Sequence, residues 1–185
     1  MALRKTSLIV LLLVYLSLIS MNIVLAIIIL LVYTIALCIK GGGIPSSLSA
    51  SVFTLPLNRR WIWTIVLYAV CFLCIPTIID KTSENTQFLS FIAIASLAFV
   101  GAAPLVKDTQ DIAYKVHCLA AVICALCSQF TITFNCFWLL FIWVAYLGIF
   151  VYHIKNVCKS WNTWNTKVFW AEMICFGNTF IYCLI

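Results

Sequence analysis

The sequence predicts an all-α protein, a polytopic transmembrane helical bundle. Its 185 residues are 65% hydrophobic, and the mean hydropathy is +1.17. Only 9% of the residues are charged, against about a quarter in an average soluble domain. The apolar residues form long runs without the alternation of a membrane β-strand, which favours helices as the membrane-spanning structure. This composition excludes a water-soluble globule and a disordered chain.

The basic residues are dispersed along the chain, although the formal net charge is +6. Lysines and arginines occur singly or in pairs between apolar runs, never as a cluster of five or more. This distribution is typical of loop charges that set membrane topology, and not of a surface that follows nucleic-acid phosphates. We therefore expect membrane lipid as a partner and no nucleic acid.

Six apolar runs are long enough to cross a membrane, because a hydrocarbon core about 30 Å thick takes about 20 residues of helix. They cover residues 8–39, 61–79, 88–106, 114–133, 136–154 and 168–185. No polar domain interrupts them. Residues 1–185 are therefore predicted to form a single transmembrane domain with six spans.

The first run is too long for one upright span, since its 32 residues would extend about 48 Å as a helix. We expect one long tilted helix. A hairpin that turns near residues 20–22 would instead give seven spans. A signal peptide over residues 1–26 is the third alternative, although its removal would leave an apolar remnant before Lys40 that is too short to cross.

The basic residues also predict the orientation of the six spans. The loops at residues 40–60, 107–113 and 155–167 would lie on one side of the membrane. That side carries eight basic residues when Lys115, at the edge of the fourth span, is counted with the loops. They are Lys40, Arg59, Arg60, Lys107, Lys115, Lys155, Lys159 and Lys167. The other side carries three: Arg4, Lys5 and Lys81. Because cytoplasmic loops are enriched in Lys and Arg, we expect the three loops in the cytoplasm and the C-terminus outside the cell membrane.

Aromatic residues near the predicted cytoplasmic boundary fit this orientation. They are Trp61, Trp63, Tyr114, Tyr152 and Trp170. Amphipathic rings favour the headgroup region of a membrane. We therefore expect all five rings close to the level of the lipid headgroups.

Ionisable groups are costly inside a bilayer and are the first candidates for function. His117 and Glu172 lie within predicted spans, near their cytoplasmic ends. Three more lie on the same side: Asp108, Asp111 and His153. Together they predict a shallow polar pocket, catalytic or ligand-binding, that opens to the cytoplasm. The alternative is structural, with Glu172 paired to Lys115 or His117 as a tie between helices. No metal and no cofactor are expected, since no metal-ligand spacing such as His-Glu-x-x-His occurs.

The segment after the first run is rich in glycine and serine. The glycines at residues 41–43 are expected to end the helix, and Pro45 to begin a short one. The hydroxyls of Ser46, Ser47 and Ser49, beside a helix N-terminus, are candidates for contact with an anion or a lipid headgroup. A purely structural turn is the alternative.

Helical spacing predicts which side chains turn toward the interior of the bundle. In the sixth run they are Glu172, Cys175, Thr179 and Cys183. In the fourth run they are His117, Ala121, Cys124 and Ser128. Polar and small side chains of a membrane helix face the protein and not the lipid.

Several stretches between residues 40 and 130 resemble a group of small multi-span bacterial membrane proteins with no assigned activity. The stretches are residues 43–50, 76–80, 84–85, 87–88, 99–104 and 116–117. The resemblance implies a compact helical bundle and carries no mechanism. Membrane hydrolases of the alkaline ceramidase type use several histidines, whereas this chain has two, neither in a comparable motif.

Three classes of function follow. The first is a non-enzymatic membrane component that packs with lipid, with a membrane-protein partner or with a second copy of itself. The second is an intramembrane hydrolase that uses the histidines and carboxylates on the cytoplasmic side. The third is a small transporter, which ranks lower because the opposite half of the bilayer offers few polar residues. We expect the first.

Overall fold

The computed structural model describes the backbone of residues 2–105, 110–158 and 165–185, and the side chains within residues 17, 21–53, 55–105, 111–157 and 165–185. All regular secondary structure in these residues is helical. The α-helices are α1 (Ala2–Gly41), α2 (Trp61–Lys81), α3 (Gln87–Ala102), α4 (Gln110–Asn135), α5 (Leu140–His153) and α6 (Lys167–Leu184). The all-α class expected from the composition is confirmed.

Five helical stretches in the described residues are long and apolar enough to cross a membrane. They are Met21–Gly41, Leu57–Lys81, Glu84–Leu105, Asp111–Asn135 and Phe137–Val157. The sixth predicted span corresponds to α6, which is not among them. α6 carries Glu172, Asn178 and Thr179 within its length, and these polar residues lower its mean hydropathy.

α1 is one continuous helix. It passes without a turn through residues 20–22, so the hairpin alternative was wrong. The helix ends at glycines, because Gly42 adopts a positive φ of 68° and the amide of Gly43 donates to the carbonyl of Cys38 at 3.0 Å. A residue in the left-handed region is the usual end of an α-helix, and glycine adopts that conformation without a Cβ clash.

The helices surround a shared apolar interior. α2 packs against α1 and α3, α3 packs against α4, and α6 contacts α1, α2 and α4. The main cluster of buried side chains includes Ile23, Leu30, Trp63, Leu67, Val100, Phe169 and Phe180. α5 has no buried side chain and therefore lies at the periphery of the bundle.

The segment between α1 and α2 folds over one end of the bundle. It contains two short 3-10 helices, Ala50–Thr54 and Leu57–Arg59. The first of them begins later than the predicted start at Pro45, because the residues in between form a turn. The ring of Phe53 lies edge-on to that of Tyr114, with 5.4 Å between ring centroids. This contact places the segment beside the start of α4.

The opposite end of the bundle is joined by hydrogen bonds between loops and helix ends. The hydroxyl of Tyr182 donates to the carbonyl of Lys81 at 2.8 Å, which joins the ends of α6 and α2. The amide of Ser83 donates to the side-chain oxygen of Asn135 at 3.0 Å, which joins the α2–α3 loop to the end of α4. Successive helices α2, α3 and α4 therefore run in alternating directions.

Candidate functional site

Glu172 lies in the second turn of α6, where it faces the segment between α1 and α2. A backbone hydrogen bond joins α6 to this segment: the amide of Phe169 donates to the carbonyl of Ser46 at 3.1 Å. This bond uses one of the first amides of α6, which have no partner within their own helix. It brings the serine-rich turn to the level of the Glu172 side chain.

Three consecutive residues bind the carboxylate of Glu172, and we call Ser47, Leu48 and Ser49 the serine cradle. The hydroxyl of Ser47 lies 2.9 and 3.0 Å from the two carboxylate oxygens. The amides of Leu48 and Ser49 donate at 2.5 and 3.4 Å, and the hydroxyl of Ser49 donates as well. All of these groups can donate, so the cradle takes the place of the water that would otherwise hydrate the carboxyl group.

The cradle is itself fixed by local hydrogen bonds. The amide of Ala50 donates to the hydroxyl oxygen of Ser47 at 3.1 Å. The hydroxyl of Ser51 donates to the carbonyl of Leu48 at 2.6 Å. Serine side chains that bond to nearby backbone groups favour turns over longer helices. These bonds hold the hydroxyl of Ser47 in the position from which it contacts Glu172.

His117 has a different partner from Glu172. Its Nδ1 lies 3.0 Å from the carbonyl oxygen of Val100, and because a carbonyl can only accept, Nδ1 carries the proton. The ring is 1% exposed and packs edge-on against Phe53. Its Nε2 has no partner within the described part of the chain. His117 thus ties α4 to the end of α3.

The other candidate site residues that the structure describes do not join Glu172. Asp111 is exposed in the first turn of α4, and His153 is half-buried at the end of α5. Asp108 lies outside the described residues. Lys115 is exposed and makes no bond to Glu172.

Among the described residues, no three His, Cys, Asp or Glu side chains are placed to hold a metal ion. The structure therefore brings Glu172 to Ser47 and Ser49, and not to a histidine.

An apolar cavity of about 360 Å³ begins beside this carboxylate. It lies between α2, α3, α4 and α6, and Trp143 of α5 also reaches it. On α2 its lining extends from Trp63 to Ile78, which corresponds to about 20 Å of helix. Glu172 and Ser49 stand near the Trp63 end of the cavity. Its volume is in the usual range for small-molecule sites, about 300–1,000 Å³.

The predicted interior faces of two helices line this cavity. They supply Ala121, Cys124 and Ser128 of α4, and Glu172, Cys175 and Thr179 of α6. His117 and Cys183, which complete the two predicted faces, are buried. The prediction from helical spacing is confirmed.

Comparisons with known proteins add no family to this geometry. No family model, no curated protein and no solved structure matches the chain. The resemblance to small bacterial membrane proteins stays a prediction. The function is therefore argued from the site alone.

Two residues near the site were assigned other roles from the sequence. Arg60 was counted among the loop charges, yet it is 4% exposed and donates to the carbonyls of Leu55 and Phe53, both at 3.1 Å. Trp63 was expected at the membrane surface, yet its side chain is fully buried. Their spacing of three residues is compatible with one helix face, but it does not indicate whether that face is buried or exposed.

Proposed function

We propose that this chain is a non-enzymatic, multi-pass membrane component that packs with lipid. Its candidate spans carry large apolar side chains on their outer faces. Phe72 is 81% exposed, and Phe141 and Ile149 are also exposed. Large apolar side chains exposed in this number are unfavourable in water and suit a hydrocarbon environment.

The observation that carries the non-enzymatic part of the proposal is the occupation of the Glu172 carboxylate. Both of its oxygens accept hydrogen bonds from the serine cradle. A general base must reach the proton that it abstracts. This carboxylate already accepts a hydrogen bond from Ser47, which lies 125 positions away in the sequence. His117 is bonded to Val100 through Nδ1, and its Nε2, which has no partner within the described residues, is buried. These contacts favour two separate ties between elements.

We also propose the orientation indicated by the basic residues, with the loops at residues 40–60, 107–113 and 155–167 in the cytoplasm and the C-terminus outside. The contact of Phe53 with Tyr114 and the bond of Phe169 to Ser46 support a shared side for the segment after α1 and the starts of α4 and α6. α6 would then be the sixth span, with the carboxyl group of Glu172 held by hydrogen bonds from the cradle at its cytoplasmic end.

Membrane extraction and cysteine labelling test this proposal. The chain should stay with membranes in alkaline carbonate and be released by detergent. Gly43→Cys and Asn165→Cys should react with an impermeant maleimide only after the membrane is opened, whereas Glu84→Cys should react in intact cells. Reaction of all three in intact cells would overturn the orientation. Release by carbonate alone would overturn the membrane proposal.

A further inference from the structure

The outer face of α5 carries an apolar column that ends at a lysine. Exposed apolar side chains recur there every three or four residues, and side chains with this spacing share one face of a helix. They are Leu140, Val144, Leu147 and Val151. Lys155, four residues after Val151, is exposed and continues the spacing. From Leu140 to Val151 the helix rises about 16 Å, close to one leaflet of a hydrocarbon core about 30 Å thick. We call this set of residues the α5 column.

The α5 column takes no part in attaching α5 to the bundle. The indole N–H of Trp143 donates to Gln129 of α4, and the hydroxyl of Tyr146 donates to the carbonyl of Lys167 at the start of α6. Neither donor belongs to the column, and no side chain of α5 is buried. The column is therefore open to the surroundings of the protein.

The charged residues near the column all have the same sign in the sequence. Residues 136–171 contain no Asp and no Glu, and their lysines are Lys155, Lys159 and Lys167. Lys159 lies outside the described residues. Lys167 begins α6 and is held next to α5 by the bond from Tyr146. An anionic lipid surface strengthens binding by about fivefold for each Lys or Arg close to it, and no carboxylate in this stretch opposes that attraction.

The opposite end of the bundle has acidic groups at its surface. Asp80 and Glu84 are exposed there, and Lys81 is half-buried. The loop that contains Glu84 is bonded to the end of α4, just before α5 begins. The apolar end of the α5 column therefore lies toward the acidic end of the bundle, and its lysine lies at the other. Charge complementarity favours an anionic lipid layer at the lysine.

Exposed aromatic rings stand close in sequence to these lysines. Tyr152 lies three residues before Lys155, and Trp170 lies three residues after Lys167, and both rings are exposed. Amphipathic rings are enriched at the headgroup level of a membrane. The two lysines therefore lie where the phosphates of a surrounding lipid layer are expected, and the apolar residues of the column extend from there into the hydrocarbon.

We propose that the α5 column binds an anionic phospholipid, with the phosphate at Lys155 and one acyl chain along the apolar residues from Val151 to Leu140. A zwitterionic phospholipid lacks the net charge that the lysines attract, and a free phosphate lacks the chain that covers the column. The inference deepens the proposed function, since it rests on lipid as the surroundings of the chain.

Thermal unfolding in uncharged detergent tests the choice of headgroup. Phosphatidylglycerol and phosphatidylcholine with the same acyl chains are added to separate samples, because a bound ligand raises the melting temperature. Phosphatidylglycerol should raise it by several degrees more at about 0.1 M salt, and the difference should shrink at about 1 M, where exposed charges are screened. Equal shifts from the two lipids at the lower salt concentration would overturn the proposal. So would equal stabilisation by glycerol phosphate, which has no acyl chain.

Charge variants at the two ends of the bundle locate the site. Lys155→Gln should remove at least half of the extra stabilisation by phosphatidylglycerol, whereas Lys155→Arg keeps the charge and should preserve most of it. Lys81→Gln removes a charge of the same sign at the opposite end and should leave the effect unchanged. Equal losses in Lys155→Gln and Lys81→Gln would show that the column is not the site.

Photolabelling in lipid nanodiscs tests the path of the acyl chain. Phosphatidylglycerol with a diazirine on its chain should label α5, and excess phosphatidylglycerol should remove the label several-fold more effectively than excess phosphatidylcholine. A second copy of the chain is the alternative occupant of this face. A disulfide-linked dimer that forms in Val144→Cys and not in the unsubstituted protein, together with no label on α5, would contradict the proposal.

Extraction and lipid preference keep the two proposals distinguishable. Release of the chain from membranes by alkaline carbonate would overturn the multi-pass membrane component, while a preference for phosphatidylglycerol that depends on Lys155 would still support the lipid site. Retention in carbonate with equal responses to the two lipids would overturn the lipid site and leave the proposed function intact.

Discussion

The hydroxyl of Ser47 lies 2.9 Å from Oε1 of Glu172, although the two residues are 125 positions apart. The contact holds the end of α1 and the segment after it against the second turn of α6. The carboxyl group of Glu172 is solvated by protein donors there, a role that water would have outside a membrane.

Glu172→Gln should destabilise the protein. The amide side chain presents an NH₂ group to neighbours that are themselves donors, so at least one of the bonds to Ser47, Leu48 and Ser49 is lost. Hydrogen bonds to a charged group contribute about 1.5–3 kcal/mol, and we expect a loss in that range. Thermal unfolding in detergent, followed by thiol exposure to a fluorogenic maleimide, measures it.

Glu84→Gln is the matched control for that substitution, because Glu84 is exposed in the α2–α3 loop. It should leave the melting temperature unchanged. A double-mutant cycle of Glu172→Gln with Ser47→Ala should show coupling, since the two side chains are in contact. Strict additivity of the two effects would argue against the tie.

Periodicity within a single helix was enough to predict the inner faces of α4 and α6. Cys124 and Cys175 line the cavity as their spacing indicated, because the 3.6-residue period is a local property of the chain. The partner of Glu172 was not accessible in this way. No local pattern specifies which of several loops at one end of a bundle reaches a given helix.

The roles of Arg60 and Trp63 show a second limit of reading the sequence. Both lie at the start of α2, where basic and aromatic residues usually face headgroups and water. Arg60 is buried instead, because the carbonyls of Leu55 and Phe53 accept its hydrogen bonds and the ring of Phe53 lies 5.3 Å from its guanidinium carbon. These acceptors come from the fold of the preceding segment, which a count of charges does not include.

Gly101→Leu should separate α2 from α3. A Cβ at this position would lie 2.8 Å from Cε1 of Tyr68, and the hydroxyl of Thr64 donates to the carbonyl of Gly101 at 2.7 Å. Overpacking of a close contact costs about 1–3 kcal/mol, so the melting temperature should fall. Gly148→Leu, in open space on α5, should have no such effect. Tyr68→Ala should partly rescue Gly101→Leu, and the absence of rescue would contradict the proposed clash.

Arg60→Met should loosen the segment between α1 and α2. It removes both hydrogen bonds and leaves the carbonyls of Leu55 and Phe53 unpaired, at a cost of about 1–3 kcal/mol for each group that stays buried. Cleavage by thermolysin near the exposed Leu57 should become several-fold faster.

Arg59→Met is the control for Arg60→Met, since Arg59 is the exposed neighbour with the same charge. Thermolysin should cleave Arg59→Met at the same rate as the unsubstituted protein. Arg60→Lys should resemble Arg60→Met, because an ammonium group lacks the planar fork that reaches two carbonyls. Equal cleavage rates for the Arg59 and Arg60 variants would contradict the buried role of Arg60.

Trp143→Phe should weaken the attachment of α5 to the bundle. Oε1 of Gln129 accepts from the indole N–H of Trp143 at 2.8 Å and from the side-chain amide of Asn178 at 3.0 Å, so one oxygen joins α4, α5 and α6. Hydrogen bonds between membrane helices contribute about 0.6 kcal/mol on average and up to about 1.7. Thermal unfolding should report a loss within that range for Trp143→Phe and a larger one for Gln129→Met, which removes both bonds at once. Trp138→Phe is the control, because the ring of Trp138 is exposed just before α5. If Trp138→Phe lowered the stability as much as Trp143→Phe, then the size of the ring and not the hydrogen bond would determine the stability.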